Sequence, residues 1–293
     1  MEQPTSVWIA TAPDTSFQPL PAPRECDVVV VGAGIAGLTA AVFLRERGAD
    51  VVVLEADRIG LGATARATVK VSAGHGLRYG DIASRHGEAA AATYAQVNGA
   101  AVGTIRDLVT RHAIDCWWEE RRHVICAESD DEVSRLEDEA ALERRLGLPV
   151  SFEHGSDLPF PVAGCLVMED QAQFHPRRYV LALAEAFVGM GGQIYERSRV
   201  SRVAAGSPCT VEVDGTTLHP RDVVITTGAP ISDRGLLAAR MTPFQEYGIA
   251  AELIDSTAPR DMYLSAGDGG WSLRTVTSDG QTYLVVVGGK HKV

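Results

Sequence analysis

Lysine is almost missing from this sequence: Lys70, Lys290 and Lys292 are the whole supply in 293 residues, and arginine carries the rest of the positive charge. The 27 Lys and Arg fall short of the 38 Asp and Glu, leaving a formal net charge of -11. No basic run is present, and binding to a phosphate backbone draws on clustered Lys and Arg, so a nucleic-acid partner is excluded. No apolar stretch approaches the length needed to cross a bilayer, so no membrane helix is expected. The first two dozen residues lack the basic start and apolar run of a signal peptide, and a cytoplasmic location is expected. The cysteines are odd in number and scattered (Cys26, Cys116, Cys126, Cys165, Cys209), with no Cys-x-x-Cys pair and no histidine at ligand spacing. Reduced, mostly buried thiols and no metal site follow.

With 45% hydrophobic and 22% charged residues, the chain can bury a sizeable core and suits one large or two interleaved domains. Met1 to Arg24 carries Pro13, Pro19, Pro21 and Pro23 and reads as an extended leader anchored by Trp8. Cys26 to Val31 is a β-branched run typical of a strand buried on both faces. Ile35 to Arg47 reads as a helix stopped by Gly48, and Val51 to Leu54 as a second buried strand. An Ala-rich helix is expected from Asp81 to His112, an alternating strand around Cys116 to Cys126, and a charged helix capped by Asp130 and Asp131 and ending at Gly147. This middle block reads as an insertion. Pro176 then starts a helix closed by Gly191-Gly192. Strands are expected at Gln193 to Glu196, at Val200 to Val213 and Thr216 to Leu218 around the Asp214-Gly215 turn, and at Val223 to Thr227. Alternating strands follow at Tyr247 to Leu253, Met262 to Leu264, Trp271 to Val276 and Thr282 to Val287.

Gly32-Ala33-Gly34-Ile35-Ala36-Gly37 stands directly after a buried strand and opens a helix. In that context the first glycine permits a tight turn, the second lets the backbone approach a pyrophosphate, and the third lets helix and strand pack closely. The phosphates then lie on the helix N-terminal dipole. Glu55, 18 residues past Gly37 at the end of the second strand, can accept hydrogen bonds from the adenosine ribose hydroxyls and would repel a 2'-phosphate. The motif fits NAD as well as FAD.

After Glu55 and Ala56 the sequence runs Gly60-Leu61-Gly62-Ala63-Thr64-Ala65-Arg66-Ala67-Thr68-Val69-Lys70. This resembles the second flavin-contacting loop of the D-amino-acid oxidase superfamily, which includes glycine oxidase and sarcosine oxidase. Trp8 to Pro13, Lys70 to Tyr79 and the ending Gly288 to Lys292 are most similar to bacterial FAD-dependent oxidoreductases often fused to a C-terminal Rieske domain. The resemblance covers nearly the whole chain. It implies FAD as cofactor, with Gly62, Thr64, Arg66 and Thr68 near the pyrophosphate or flavin. It also implies that Val200 contacts adenine through its backbone and that Thr227-Gly228-Ala229 forms a later flavin-contacting turn. The family continues past the position of Val293 with a segment that closes the flavin pocket, so a closing segment is expected to be missing. No Cys-x-His and Cys-x-x-His pair exists, so these residues hold no Rieske cluster themselves.

Lys70, isolated in a chain that otherwise uses arginine, is a candidate for stabilising reduced flavin electrostatically. His75, flanked by Gly74 and Gly76, could face flavin or substrate, or could be a hydrogen-bonded turn histidine. Tyr79, Tyr247 and Arg274 are candidates for a substrate pocket, Arg274 by pairing with a carboxylate. His175 and Arg177, in a stretch similar to a family loop, read as structural.

The expected fold is α/β, a glutathione-reductase-like, FAD/NAD(P)-binding Rossmann-like domain with an interleaved α+β substrate domain. The expected bounds are a leader at 1–24, the FAD-binding domain at 25–80 and 166–235, and the substrate domain at 81–165 and 236–293. The expected reaction is oxidation of a C–N bond of a small amine or amino acid by hydride transfer to flavin, with oxygen or a Rieske-type partner as electron acceptor. Two alternatives stay open: an FAD-binding fragment without activity of its own, and an NAD(P)-linked oxidoreductase, which predicts a second glycine motif that the sequence lacks.

Overall fold

The valine run Val28–Val31 forms strand β1 with all four residues buried, as β-branched side chains do in a strand covered on both faces. The computed structural model that shows this describes residues 5–231, 238–254, 258–267, 270–278 and 280–292. The chain divides into two units: one of Met1–Ala67, Arg111–Cys116 and His175–Thr242, the other of Thr68–Thr110, Trp117–Phe174 and Pro243–Val293.

In the first unit β1 pairs in parallel with β2 (Val51–Leu54) on one side and β11 (Asp222–Ile225) on the other; β7 (Gln193–Tyr195) completes a four-stranded sheet of order β11-β1-β2-β7. Between β1 and β2 runs helix α2 (Ile35–Glu46), which buries Gly37, Leu38, Ala41 and Val42 and packs against helix α6 (Pro176–Gly189). On the sheet, Val29, Val31, Val52 and Leu54 pack with Val211, Val213 and Leu218. The last three come from the antiparallel sheet of β8 (Val200–Ala204), β9 (Thr210–Val213) and β10 (Thr216–Leu218). Each fully buried valine or leucine contributes roughly 1.5–3 kcal/mol of apolar transfer.

The leader departs from its expected extended form. Val7–Ala10 makes one helical turn, α1, because Ser6 caps it by accepting from the Ile9 N–H at 3.3 Å. Trp8 is buried, donates Nε1–H to the Ala67 carbonyl at 2.9 Å and meets His175 edge-on with ring centres 5.2 Å apart. Further on, the buried Glu196 carboxylate accepts from the Thr15 hydroxyl and from the N–H groups of Phe17 at 3.1 Å and Ile59 at 2.9 Å. The leader is thus part of this unit.

The second unit is built on an eight-stranded sheet of order β12-β15-β14-β13-β4-β6-β3, with a further strand on β6. Its strands are β3 (Lys70–Val71), β4 (Glu119–Ala127), β5 (Val150–Glu153), β6 (Gly164–Gln173), β12 (Phe244–Glu252), β13 (Met262–Ser265), β14 (Ser272–Ser278) and β15 (Gln281–Lys292), and β5 is the one paired to β6. Among these pairs β13 with β4 is parallel and the others are antiparallel. Ile125, Ala127, Leu166 and Met168 pack with Leu136 and Ala140 of helix α5 (Asp130–Arg145), whereas Val124, Cys126, Cys165 and Val167 pack with Tyr263, Leu273 and Leu158. The period of two along β4 and β6 separates these two sets.

Two helix expectations change. Ser129, one residue before Asp130, caps α5, and Asp130, Asp131 and Glu132 lie in the first turn, where carboxylates complement the helix dipole. The expected Asp81–His112 helix is two helices, α3 (Arg78–His86) and α4 (Glu88–Arg111), because Gly87 at φ +86° ends the first. The domain bounds shift as well. Lys70 and Val71 pair with Gln173 and Ala172, so the chain leaves the first unit after Ala67 rather than at 80, and 166–174 belong to the second unit's sheet. Residues 111–116 stay with the first unit, where the Cys116 carbonyl accepts from the His175 N–H at 2.7 Å. The expected boundary between 235 and 236 lies outside the described residues. Among the described residues no helix is long and apolar enough to cross a membrane.

Glu143 on α5 is fully buried, and neither carboxyl oxygen has a hydrogen-bond partner among the described residues. Burial, and secondarily the Glu139 carboxylate, push its pKa up to about 8. A raised acid favours the folded state fully below the unfolded value near 4.5, and that contribution is lost as pH rises toward about 8. Glu143→Gln should therefore raise the urea midpoint at pH 8 by the equivalent of about 1–3 kcal/mol and by much less at pH 5. An equal effect at both pH values would show that Glu143 carries no such linkage.

Candidate dinucleotide site

Three glycines shape the turn from β1 into α2. Gly32 has φ +105°, a conformation L side chains rarely adopt, and a Cβ there would lie 2.9 Å from the Thr226 carbonyl oxygen. A Cβ on Gly37 would lie 1.9 Å from the Gly32 carbonyl oxygen and 2.7 Å from the Thr226 hydroxyl. Gly34 is the N-cap of α2 and offers no capping side chain, so the N-terminal end of the helix, where amides lack intrahelical partners and the dipole favours an anion, is not covered by its own cap. Thr226, just past β11, donates its hydroxyl to the Val31 carbonyl at 2.8 Å and lies 3.2 Å from that of Gly32, fixing the turn from the opposite strand.

Beside this turn is a cavity of about 330 Å³, entirely within the first unit. Gly32, Gly34, Glu55, Ala56, Gly62 and Thr64 line it, and so do Val200, Thr227 and Gly228 from the later strands. Glu55, at the end of β2, accepts the Ala33 N–H at 2.8 Å and the Asp57 N–H at 3.0 Å. Its carboxylate is thereby aimed at the cavity wall, the place from which it can accept ribose hydroxyls. Thr64 Oγ1 accepts from the Ile35 N–H at 3.3 Å, linking the second loop to the helix start.

The remaining expected contacts sit elsewhere. Ala33, Ile35, Ala36 and Gly37 shape the turn and helix without lining the cavity, and Arg66 is exposed on the short 3-10 turn Ala63–Arg66. Thr68 belongs to the second unit, where its carbonyl accepts from Arg274 at 2.9 Å. Sequence reasoning missed Thr226, Arg199 and the Pro230-Ile231 pair, all lining residues. The run Thr226-Thr227-Gly228 at a strand end carried the available signal for the first of these; Arg199, one residue before the expected Val200, carried none.

In the second unit, Lys70 Nζ donates to the Tyr263 carbonyl, and burial together with the Arg274 charge pushes its pKa down to about 7. Arg274 is buried and donates to the carbonyls of Thr68, of Val69 at 2.6 Å and of Phe174 at 3.3 Å. Burial lowers its pKa to about 9. These bonds to backbone carbonyls make the guanidinium a staple between segments of the second unit. His75 shares a hydrogen bond with the Tyr94 hydroxyl at 2.9 Å, and desolvation followed by the Arg78 charge lowers its pKa. Tyr79 is buried with its hydroxyl on the Ala73 carbonyl at 2.7 Å, whereas Tyr247 is exposed and stacks on His291. His175 caps α6 by accepting the Arg178 N–H at 3.2 Å, and Arg177 is buried against Asp14 at 3.6 Å, both structural roles. Among the described residues no group of His, Cys, Asp or Glu is placed to hold a metal ion.

A parallel sheet, a glycine turn leading into a helix N-terminus, and a carboxylate on the ribose side define a dinucleotide-binding protein. The model of the FAD dependent oxidoreductase (DAO) family matches residues 27–293, and the chain belongs to that family. Its cofactor is FAD, which resolves the choice left open by the glycine motif. The cradle fits that group: Gly32 and Gly37 are glycine where the turn, helix and strand end meet, and the wall is open at Gly62, where a Cβ would meet nothing within 4 Å.

A Bacillus subtilis protein named for a Rieske 2Fe-2S iron-sulfur centre, YhfW, is 33% identical over 295 residues, 99% of this chain and 57% of that one. Escherichia coli gamma-glutamylputrescine oxidoreductase is 27% identical over 275 residues, 89% of this chain and 64% of that one. The chain thus spans less than two thirds of the length of these relatives. Among solved structures, glycine oxidase from Geobacillus kaustophilus superposes with TM-score 0.62 at 20% identity, covering 92% of this chain and 72% of that one. L-proline dehydrogenase from P. horikoshii gives TM-score 0.68 at 18% identity over 92% and 71%. At such identities the likeness is one of fold.

Gly37→Ala should lower FAD affinity by at least about 10-fold, since the new methyl must push α2 away from β1. Gly62→Ala should change it by less than about 3-fold if that residue only borders open space. Titration of apoprotein with FAD, followed by flavin fluorescence, checks both; a Gly37→Ala protein that binds as wild type would disprove the close-packing role.

Proposed function

We propose that this chain is the FAD-binding part of an oxidoreductase that oxidises a C–N bond of a small amine or amino acid to an imine. The observation that carries this is the dinucleotide cavity with its ribose-side carboxylate, in a chain of the DAO family. FAD supplies the hydride acceptor, and the protein's task is to bind, orient and tune it. The glycine turn and the α2 N-terminus hold the pyrophosphate, and Glu55 holds the adenosine ribose. The named activity of the E. coli relative, on a gamma-glutamylated putrescine, supports an amine or amino-acid substrate.

Lys70 is the catalytic candidate that the electrostatics favour. An amine poised near neutrality can hold or release a proton within the working pH range, as its role in stabilising reduced flavin requires. The electron acceptor is oxygen or a Rieske-type partner, the latter supported by the name of the B. subtilis relative. A second reading, an FAD-binding chain that turns over only with further polypeptide, draws on the coverage of 57% and 64% of these relatives.

The purified protein should be yellow, with bands near roughly 370 and 450 nm, and should release FAD on denaturation. Anaerobic addition of amines and amino acids should bleach the 450 nm band for at least one of them. A protein that binds FAD but bleaches with none until a longer polypeptide is supplied would favour the second reading. The bleaching rate should titrate near pH 7, and Lys70→Met should remove that titration and slow reduction at least about 10-fold. An unchanged pH profile in Lys70→Met would eliminate the lysine from the mechanism.

A further inference from the structure

Cys126 on β4 and Cys165 on β6 stand directly opposite each other in the antiparallel register. Their Sγ atoms are 3.2 Å apart, both residues are fully buried, and both are free thiols. They lie in the second unit and take no part in the dinucleotide site. We propose that this pair is a redox modification site, which a peroxide converts into a cross-strand disulfide tying β4 to β6.

The geometry needs little adjustment. Directly opposed residues of an antiparallel pair hold their Cβ atoms about 4.5–5.5 Å apart, close to the span a disulfide bridges, and the sulfurs need only close from contact to about 2.05 Å. The two thiols share one hydrogen bond in which either sulfur can donate, and whichever loses its proton is the attacking sulfur. That thiolate takes one oxygen of hydrogen peroxide, the O–O bond breaks, and hydroxide leaves and is protonated to water, giving a sulfenic acid. The other sulfur then displaces the sulfenic oxygen as a second water, taking its own thiol proton. The sum is two thiols and one peroxide giving one disulfide and two waters, with two electrons passing from sulfur to oxygen.

Access comes through the cover of this face. Leu158 packs in the same cluster as the two cysteines, and of residues 154–161 it alone is buried. The segment is held further by Asp157, which accepts from the Tyr263 hydroxyl and, at 2.9 Å, from the Arg260 N–H. Phe160 of the same segment meets Trp271 edge-on with ring centres 5.4 Å apart. A surface segment held by these few side-chain contacts opens at lower cost than the sheet beneath it. Its opening gates the reaction.

Reduced, desalted protein is treated with hydrogen peroxide, alkylated under denaturing conditions and mapped by mass spectrometry without reduction. One linked peptide pair carrying Cys126 and Cys165 is expected, with the loss of two of the five thiols and their recovery on adding dithiothreitol. The urea midpoint of the wild type should rise on oxidation, and that rise should be absent in Cys165→Ser. Linkage should be at least about 5-fold faster in Leu158→Ala, and an unchanged rate there would overturn the gate. The peptide map of the wild type decides the site without any variant. Recovery of Cys126 and Cys165 as separate alkylated thiols, their oxidation to separate sulfinic or sulfonic acids, or linkage among Cys26, Cys116 and Cys209 instead would overturn it. Because the peroxide is supplied directly, the result is independent of the flavin chemistry proposed above.

Discussion

At the start of α2 a single added methyl on Gly37 would come within 1.9 Å of the Gly32 carbonyl, while the Thr226 hydroxyl occupies the same corner from β11. That close crossing sets the rest of the nucleotide-binding unit. It brings the N-terminus of the helix to the end of β1, and it lets the Gly32 turn run beneath it with φ +105°. It also leaves the β2 end free for Glu55 to catch the Ala33 N–H. The valines of β1 and β2 contribute stability to the unit through burial, but the cavity exists because backbone atoms meet here with nothing between them.

The second unit handles buried charge in three ways. Arg274 keeps its charge by spending its guanidinium on backbone carbonyls, and burial only lowers its pKa to about 9. Lys70 has the Tyr263 carbonyl but also the Arg274 charge nearby, and from its lower ordinary value its pKa falls to about 7, within the neutral range. Glu143 has no donor among the described residues, and burial favours its neutral form. One satisfied, one contested and one neutralised group thus share a unit, and the contested one is the group whose protonation can respond to its surroundings at neutral pH.

The βαβ start was legible because every local signal agreed: a valine run, three glycines at fixed offsets and an acidic residue at the next strand's end. Helices with strong punctuation, such as the one opened by Pro176, were also legible, and so were the strands from Phe244 onward. β6 was not. Its first half is continuously buried, but Glu169 and Asp170 are exposed, Asp170 adopts φ +61°, and Gln171 and Gln173 are buried polar residues, so neither a period of two nor an apolar run survives. The leader was misread because its prolines argue against long helices but not against a single turn capped by Ser6, and the docking of Trp8 is a long-range contact no local pattern encodes. The carbonyls that converge on Arg274 from two distant segments are likewise long-range contacts that no local pattern encodes.

Thr226 and Val31, hydrogen-bonded across the parallel sheet, are 195 residues apart in the chain. During synthesis, β1, α2 and β2 emerge first and must wait for β11 to leave the ribosome, an interval of roughly 10–40 s at about 5–20 residues per second. Through that time the valine-rich sheet has an unpaired edge at β1. Both units gather segments interrupted by the other, so neither can be completed as one uninterrupted stretch of nascent chain. The glycine turn, settled by its partner last, comes into its binding-competent form only once β11 has been made.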